Sequence, residues 1–366
     1  MLNIVHTLCI FTALLAAAQE KSDIKPDESI IFFPTFGWKT AEGGWECAVH
    51  GWIYEAGPER SELESFRKAI GLGEDDDDDG EQADPKVFGD RAFWFLVDNE
   101  GDKEIVVRLD DRMVAMPLSG DNGHFERIVP VPDDAPNAAA KQDRSALRVR
   151  FHAVTNPDDS RTFEGVAYLL DDRGLSVVSD IDDTIKITNV RDDSEKLRNT
   201  FLREYRPVPG MAELYREWEQ RDHAAFHYVS ASPWQLYPPL NKFMNSEDFP
   251  SGTFHLKDFR WKDSTFFNLF ESPVKYKLEQ IRPIIERYPQ RRFVLIGDST
   301  EGDPEAYAEL ARKLPQCVAM ILIRAVPPDK PGDERFEKIF DGLPRNLWKV
   351  YENAAEIRDI EFAKED

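Results

Sequence analysis

The feature that most constrains the fold of this chain is the alternation of short apolar segments with helical segments from residue 175 onward. The apolar segments have the length of strands, and the segments between them have the apolar spacing of helices. Strands are expected at residues 175–179, 224–229, 292–296 and 317–323, and helices at 211–220, 277–288 and 304–313. This alternation predicts an α/β fold with a doubly wound parallel sheet covered on both faces. Ligands of such sheets bind at the carboxyl ends of the strands.

Residues 29–170 show a different pattern, in which short apolar runs are separated by Gly, Pro, Asp and Asn turn signals. Between residues 45 and 54, alternate residues are apolar, as in a strand with one buried face. Further strands are expected at residues 31–34, 93–97, 105–109, 125–129, 147–153 and 163–169, with a short helix within 61–71. About seven short strands predict an antiparallel β-sandwich-like domain.

The N-terminus resembles a secretory leader. An apolar run over residues 2–15 is followed by Ala16, Ala17 and Ala18, which suit a signal-peptidase site before Gln19. We therefore expect a signal peptide at 1–18, a β-rich domain at 19–170 and an α/β domain at 171–366, in a secreted or periplasmic protein. An N-terminal membrane anchor is the alternative.

The charge of the chain limits its partners. The formal net charge is −23, and such a surface repels nucleic acid and anionic membranes over roughly a Debye length of ~8–10 Å. Nucleic acid is therefore not an expected partner. Six consecutive acids at residues 74–79 predict a solvated loop, since they lack the alternating ligand spacing of an EF-hand calcium site.

The cysteines leave one question open. Cys9 lies in the expected leader, which leaves Cys47 and Cys317, one in each half of the chain. The sequence does not decide whether these two are paired or are separate buried thiols. A zinc site has no support, because the cysteines and histidines lack metal-site spacing.

Acidic residues directly follow the first strand of the α/β half, in the order Asp180-Ile181-Asp182-Asp183. Side chains at i and i+2 of extended backbone point the same way, so two of these carboxylates share a direction. Such a cluster favours an oxygen-liganded Mg²⁺ ion. One carboxylate could then attack phosphorus and the other could transfer protons. An acidic turn that merely caps a helix is the alternative reading of this motif alone.

Three further motifs lie at strand ends or helix starts. Gly297-Asp298 follows one strand, and Asp303 lies five residues after Asp298. Ser230 ends another strand and could donate to a phosphoryl oxygen, while Lys277 at a helix start supplies a positive charge. Each of these residues alone is usually structural, and the argument rests on the four motifs together.

The four motifs in this order resemble the haloacid dehalogenase superfamily over residues 172–325. The resemblance implies that Asp180 is the nucleophile and that Asp182 is the general acid/base, which also ligates Mg²⁺ through its backbone. It also implies that Ser230 and Lys277 bind the phosphoryl group. The predicted metal set is Asp180, Asp182, Asp298 and Asp303, with Asp303 orienting bound water or the lysine.

A narrower resemblance rests on four longer segments. They are Ser179-Asp180-Ile181-Asp182-Asp183-Thr184-Ile185-Lys186, Pro207-Val208-Pro209-Gly210-Met211, Ser230-Ala231-Ser232-Pro233-Trp234 and Ile296-Gly297-Asp298-Ser299. They are similar to the catalytic domain of the actin-patch-associated phosphatidate phosphatase family, a relative of the lipin catalytic domain. Bacterial members also have a β-rich N-terminal region with a strand like that at residues 51–55. The family commonly has Gly-Gln after Asp298-Ser299, where this chain has Thr300-Glu301.

The resemblance implies Mg²⁺-dependent hydrolysis of phosphatidate or another lipid phosphate, with peripheral membrane contact. A secreted phosphomonoesterase for soluble esters and a non-catalytic envelope binding protein are the alternatives. Two groups of residues bear on the substrate. Lys257, Arg260 and Lys262 could clamp a phosphate, and Trp234, Tyr237 and Phe243 could touch acyl chains or pack in the core. Oligomeric state, acyl and headgroup preference and the role of the β-rich domain are left open.

Overall fold

The computed structural model describes residues 21–57, 60–73, 84–132, 147–258 and 274–362. These residues form two sheets, one in each half of the chain. The expected leader, the acidic run at 74–79 and the predicted phosphate-clamp residues Arg260 and Lys262 lie outside the described ranges. Within those ranges, the structure contains no helix with the length and apolar character needed to span a membrane.

The N-terminal sheet has nine strands, paired antiparallel except for one parallel pair, β2 with β9. Arg127 on β7 donates to the carbonyl of Ala115 at the end of β6 (2.5 Å), so the sheet curls around its own apolar core. The antiparallel β domain expected from the sequence is therefore present. Its strands are β1 (Glu28–Phe33), β2 (Thr35–Lys39), β3 (Trp45–Glu55), β4 (Asp98–Asn99), β5 (Val106–Leu109), β6 (Arg112–Ala115), β7 (His124–Val131), β8 (Leu147–Ala153) and β9 (Glu164–Leu169).

Two helices interrupt this half, and one of them corrects the prediction. Helix α1 (Arg60–Ala69) lies where a short helix was expected. The strand predicted at residues 93–97 is wrong, because those residues belong mostly to helix α2 (Pro85–Leu96). Asp84 caps this helix by accepting the Lys86 amide (2.8 Å), and Pro85 suits the first helical turn. The aromatic run at residues 93–95 has the composition of a strand. The sequence signals for a helix were the start residues Asp84 and Pro85.

The C-terminal sheet has six parallel strands in the order β12-β11-β10-β13-β14-β15. The predicted strands are present as β10 (Leu175–Ser179), β11 (Ala225–Pro233), β13 (Arg292–Asp298) and β14 (Val318–Arg324), and β12 (Gly252–Lys257) and β15 (Trp348–Tyr351) extend the sheet at its edges. The helices are α3 (Asp193–Phe201), α4 (Met211–Asp222), α5 (Tyr237–Ser246), α6 (Val274–Arg287), α7 (Asp303–Lys313) and α8 (Glu334–Ile339). The α/β fold predicted from the sequence is confirmed.

The central strands bury both faces, which explains why they read as continuous apolar runs. Val177 of β10 packs into the core under α3, α4 and α5, whereas the next residue, Val178, packs into the core under α6 and α7. Both side chains are fully buried. The carboxyl ends of these strands are therefore held rigidly at one edge of the sheet.

The β domain packs directly against the α/β half. Phe33 of β1 is fully buried, with ring centroids 4.2 Å from Trp234 and 5.0 Å from Tyr237. The Tyr288 hydroxyl at the end of α6 donates to the carbonyl of Gly37 in β2 (2.8 Å). The two halves therefore share apolar cores.

The structure answers two questions that the sequence left open. Cys47 and Cys317 are separate buried thiols. Trp234, Tyr237 and Phe243 are all buried in the core between the two halves. Their packing accounts for these aromatic residues without acyl chains.

Replacing Phe33 with alanine tests the shared core. Phe33→Ala should lower the free energy of unfolding by about 3–5 kcal/mol, as for other fully buried aromatic side chains. Denaturant unfolding measures the change, with the exposed Met113→Ala as a control that should stay within about 0.5 kcal/mol. A Phe33→Ala change below about 1 kcal/mol would contradict the shared core.

Candidate active site

The site lies where β10, β11 and β13 end beside one another. Asp180 follows β10, Ser230 lies near the end of β11, and Asp298 is the last residue of β13. Since β10 pairs in parallel with both neighbours, all three side chains emerge at the same edge of the sheet. All three are fully buried.

Asp180 is held by contacts to both carboxylate oxygens. Its Oδ1 forms a short contact with the Lys277 ammonium, and its Oδ2 accepts from the Thr184 hydroxyl (2.9 Å). Burial raises the pKa of the Asp180 carboxyl to about 7, although the neighbouring Lys277 opposes the rise. The carboxylate is thus fixed in place and poorly shielded by water.

Lys277 links two segments of the site from the first turn of α6. Besides Asp180, its ammonium contacts Asp303 Oδ1 (2.8 Å), and the lysine is fully buried. Burial alone would lower the pKa of Lys277, but Asp180 and Asp303 hold it well above its ordinary value. The lysine is therefore charged and bound by two carboxylates.

Gly297 allows Asp303 to reach this position. Asp303 Oδ2 accepts from the backbone amide of Asp298 (3.1 Å), so the first turn of α7 is bound to the end of β13. A Cβ atom on residue 297 would lie 2.2 Å from Asp303 Oδ2. The glycine is required by this close approach of a carboxylate to the strand.

Asp298 and Glu301 form an acidic group with Asp180, in which one carboxylate oxygen of each residue lies within 4.8 Å of the others. Burial raises the pKa of both Asp298 and Glu301 well above its usual range, and the neighbouring acids add to the rise. Asp298 Oδ2 and Glu301 Oε2 are buried and have no hydrogen-bond partner. This donor set fits a divalent cation such as Mg²⁺, which prefers oxygen ligands and would neutralise the repulsion.

Asp182 lies in a separate hydrogen-bonded network. Its Oδ1 binds the ammonium of Lys186 (2.7 Å) and accepts from Thr188 (2.7 Å), while its Oδ2 accepts from Ser230 (2.9 Å) and Ser232 (3.0 Å). Burial alone would raise the pKa of Asp182, but Lys186 and these hydroxyls lower it to about 2. The Asp182 carboxylate is therefore ionised and fully engaged.

Asp183, the third acid of the motif, organises the loop after the motif. Its carboxylate accepts from the backbone amides of Thr188 (2.8 Å), Asn189 (2.9 Å) and Val190 (2.8 Å). Arg324 at the end of β14 donates to the Asp183 carbonyl (2.6 Å). Asp183 thus has a structural role that fixes the backbone beside Asp180 and Asp182.

The structure brings together all the predicted site residues, in two adjoining groups. Asp180, Lys277, Asp298 and Asp303 form one group, whereas Asp182 and Ser230 form the other. Sequence reasoning missed Lys186, although its spacing of four residues from Asp182 was a usable signal. It also noted Glu301 only as a departure from the Gly-Gln that the family commonly has after Asp298-Ser299.

Comparison with known proteins identifies this region. Residues 175–325 match the sequence model of the catalytic domain of phosphatidate phosphatase APP1. These residues are therefore similar to an APP1-type catalytic domain. The matched region contains Asp180, Ser230, Lys277 and Asp298, all with the buried geometry described above.

Two fungal relatives each match less than half of the chain. Phosphatidate phosphatase APP1 of Saccharomyces cerevisiae is 33% identical over 154 residues, covering 41% of this chain and 26% of the yeast protein. An uncharacterized protein of Schizosaccharomyces pombe is 34% identical over 168 residues, covering 45% of this chain and 27% of that protein. The chain therefore spans about a quarter of the length of these relatives.

A solved structure from work on a carbohydrate esterase overlaps 81% of this chain and 87% of its own, at 9% identity and a TM-score of 0.21. At that score the likeness carries no argument about fold or function.

Substituting Gly297 tests how the site is held together. Gly297→Ala should displace Asp303 and therefore Lys277, because the added Cβ would overlap the Asp303 carboxylate. We expect phosphate release to fall by about a hundredfold, as for displacements of about 1 Å near reacting groups. Gly332→Ala is the matched control, since a Cβ there meets nothing within 4 Å. Equal activity of the two variants would refute the role given to Gly297.

Proposed function

We propose that this chain is a Mg²⁺-dependent phosphatase that hydrolyses phosphatidate, or another phosphomonoester, through an aspartyl-phosphate on Asp180. The observation that carries the proposal is the position of Asp180, between the buried ammonium of Lys277 and the acidic group of Asp298 and Glu301. A carboxylate, a positive charge and a cation-binding set thus meet at one strand end, within an APP1-type domain.

Mg²⁺ would be held by Asp180 and Asp298, and the sequence-based set adds the backbone of Asp182 and the carboxylate of Asp303. When bound, the ion supplies positive charge that neutralises the phosphoryl oxygens and favours nucleophilic attack. The unpartnered oxygen of Asp298 supports this assignment, because a buried carboxylate oxygen without a donor destabilises the folded protein unless a cation binds it.

In the first step, a carboxylate oxygen of Asp180 attacks phosphorus and the bond from phosphorus to the ester oxygen breaks. Lys277 binds the phosphoryl oxygens, and in this step the Ser230 hydroxyl turns from Asp182 to a phosphoryl oxygen, so that both groups stabilise the charge that develops there. The leaving alkoxide takes a proton from Asp182, which must bind that proton from solvent before this step because its low pKa otherwise leaves it ionised.

In the second step, water attacks phosphorus, the bond from phosphorus to Asp180 breaks, and Asp182 takes the proton of the water. The ionised Asp182 that Lys186 stabilises is the form required for this proton transfer. Ser230 and Ser232, which both donate to Asp182, hold its carboxylate at the strand end.

Phosphatidate is the first candidate substrate because the matched domain model is that of a phosphatidate phosphatase. A soluble phosphate ester is the second candidate, and it is favoured by the net charge of −23. Such a charge opposes approach to an anionic lipid surface. A purely binding role is disfavoured, because a buried cluster of acids lowers the stability of the folded protein and would serve no purpose without a cation and a reaction.

The leader-like residues 1–18 support a proposal of secretion or periplasmic location. In that setting the enzyme would meet phosphate esters outside the cytoplasm. Membrane contact, if the substrate is a lipid, would then be peripheral.

Removing the proposed nucleophile should abolish turnover. Asp180→Asn should reduce phosphate release by roughly a thousandfold or more, because nucleophile losses cost several decades in rate. The exposed Asp172→Asn removes the same charge at a distance and should keep wild-type activity. Assays with Mg²⁺ and with a chelator give the metal dependence, and activity of Asp180→Asn above a thousandth would contradict covalent catalysis.

A pair of substrates separates the lipid and soluble alternatives. If the enzyme acts on lipid, kcat/KM for phosphatidate in mixed micelles should exceed that for glycerol 3-phosphate by at least about tenfold. Both compounds are phosphomonoesters of glycerol, so the difference reports on the acyl chains. Equal or inverse values would favour the soluble phosphomonoesterase.

A further inference from the structure

Glu301 belongs to the acidic group but has no individual role in the proposed mechanism. It lies in the short loop between β13 and α7, and only 9% of its side chain is exposed. One of its carboxylate oxygens lies within 4.8 Å of ligand-type oxygens from both Asp180 and Asp298. Its Oε2 is buried without a hydrogen-bond partner. The loop therefore directs an unsatisfied carboxylate into the acidic group.

Lys277 does not account for Glu301. The ammonium already contacts Asp180 at short range and Asp303 at 2.8 Å. Its distance to Glu301 Oε2 is 3.9 Å, which exceeds hydrogen-bonding range. The lysine thus forms close ion pairs with two carboxylates, that with Asp303 without hydrogen-bond geometry, and Glu301 faces the other acids at a greater distance from it.

The local contacts of Asp298 point the same way. Its Oδ1 accepts from the amide (2.5 Å) and the hydroxyl of Thr300, whereas its Oδ2 is buried without a partner. The Thr300 contacts fix the loop that carries Glu301, one carboxylate oxygen of which lies within 4.8 Å of an Asp298 carboxylate oxygen. Two unpartnered carboxylate oxygens in one buried group are the arrangement that a divalent cation would satisfy.

The charges of the group also favour a second cation. Asp180, Asp298, Glu301 and Asp303 carry four negative charges when ionised, against the single ammonium of Lys277. Asp182 does not share this lysine, because its own partner is Lys186. A divalent ion would bring the buried group close to neutrality.

We propose that Glu301 is a direct ligand of the divalent cation, together with Asp180 and Asp298, and that Asp303 positions Lys277 instead of binding the metal. This inference rests on the proposed function, because it assumes that the site binds a divalent ion. It changes the ligand set predicted from the sequence, in which Asp303 was a ligand and Glu301 was not.

The test is the affinity of the full chain for Mn²⁺ without substrate. Electron paramagnetic resonance or calorimetry measures this affinity. Glu301→Gln should weaken Mn²⁺ binding at least tenfold, since even residues that only orient metal ligands change affinity by about 10–100-fold. Glu301→Asp keeps the charge but withdraws the carboxylate by one methylene, and it should also weaken binding at least tenfold. The exposed Glu305→Gln is the matched control and should bind within about twofold of wild type.

The outcomes separate the alternatives. Weakening in both Glu301 variants supports direct ligation. Weakening in Glu301→Gln alone would show that the residue acts only through its charge, and would overturn the proposal. Unchanged binding in both variants would overturn it as well. Thermal unfolding of the metal-free variants shows whether each is folded. If Glu301→Gln is not folded, the Mn²⁺ affinity of Glu301→Asp tests the ligand assignment.

The failure of this inference is distinguishable from the failure of the proposed function. If wild-type protein binds no Mn²⁺, the metal-dependent mechanism itself is contradicted. If the wild type binds Mn²⁺ and the Glu301 variants bind equally well, only the ligand assignment is wrong.

Discussion

The ion pair between Lys277 and Asp180 is the interaction on which the rest of this site depends. Both side chains are fully buried, and a buried charge is tolerated only when a partner of opposite sign lies close to it. Lys277 also contacts Asp303, so one ammonium joins the ends of β10 and β13 through helix α6. The remaining acids, Asp298 and Glu301, add more negative charge than this lysine can neutralise. A site for a divalent cation follows from that excess of negative charge.

The fold provides the rigidity that such a charge cluster needs. Apolar side chains on both faces of β10, β11 and β13 fix the strand ends, and the acids follow where the apolar residues stop. The β domain adds to this support through Phe33. Its ring packs against Trp234, which directly follows β11, the strand that carries Ser230. We infer that one role of the β domain is to complete the apolar core behind the segment that carries Ser230.

Much of this arrangement could be predicted from the sequence, because the signals are local. Each central strand is a continuous apolar run, and the order of Asp180, Ser230, Lys277 and Asp298 places them at strand ends or a helix start. The strand predicted at residues 93–97 failed because its aromatic residues face a core formed with residues far along the chain, including Phe201. The division of the acids between two lysines was not predicted either, although the spacing of four residues between Asp182 and Lys186 was a signal for one pair. Asp182 pairs with Lys186 and Asp303 pairs with Lys277, and these pairings depend on loop conformations.

The central claim is that Asp180 becomes phosphorylated during turnover. The most direct measurement is to acid-quench the enzyme during steady-state hydrolysis, reduce it with borohydride and sequence its peptides by mass spectrometry. Reduction converts a phosphorylated aspartate to homoserine, so the account predicts homoserine at position 180 in samples quenched with substrate and in no sample without it. An unmodified Asp180, or homoserine at another aspartate, would contradict the account.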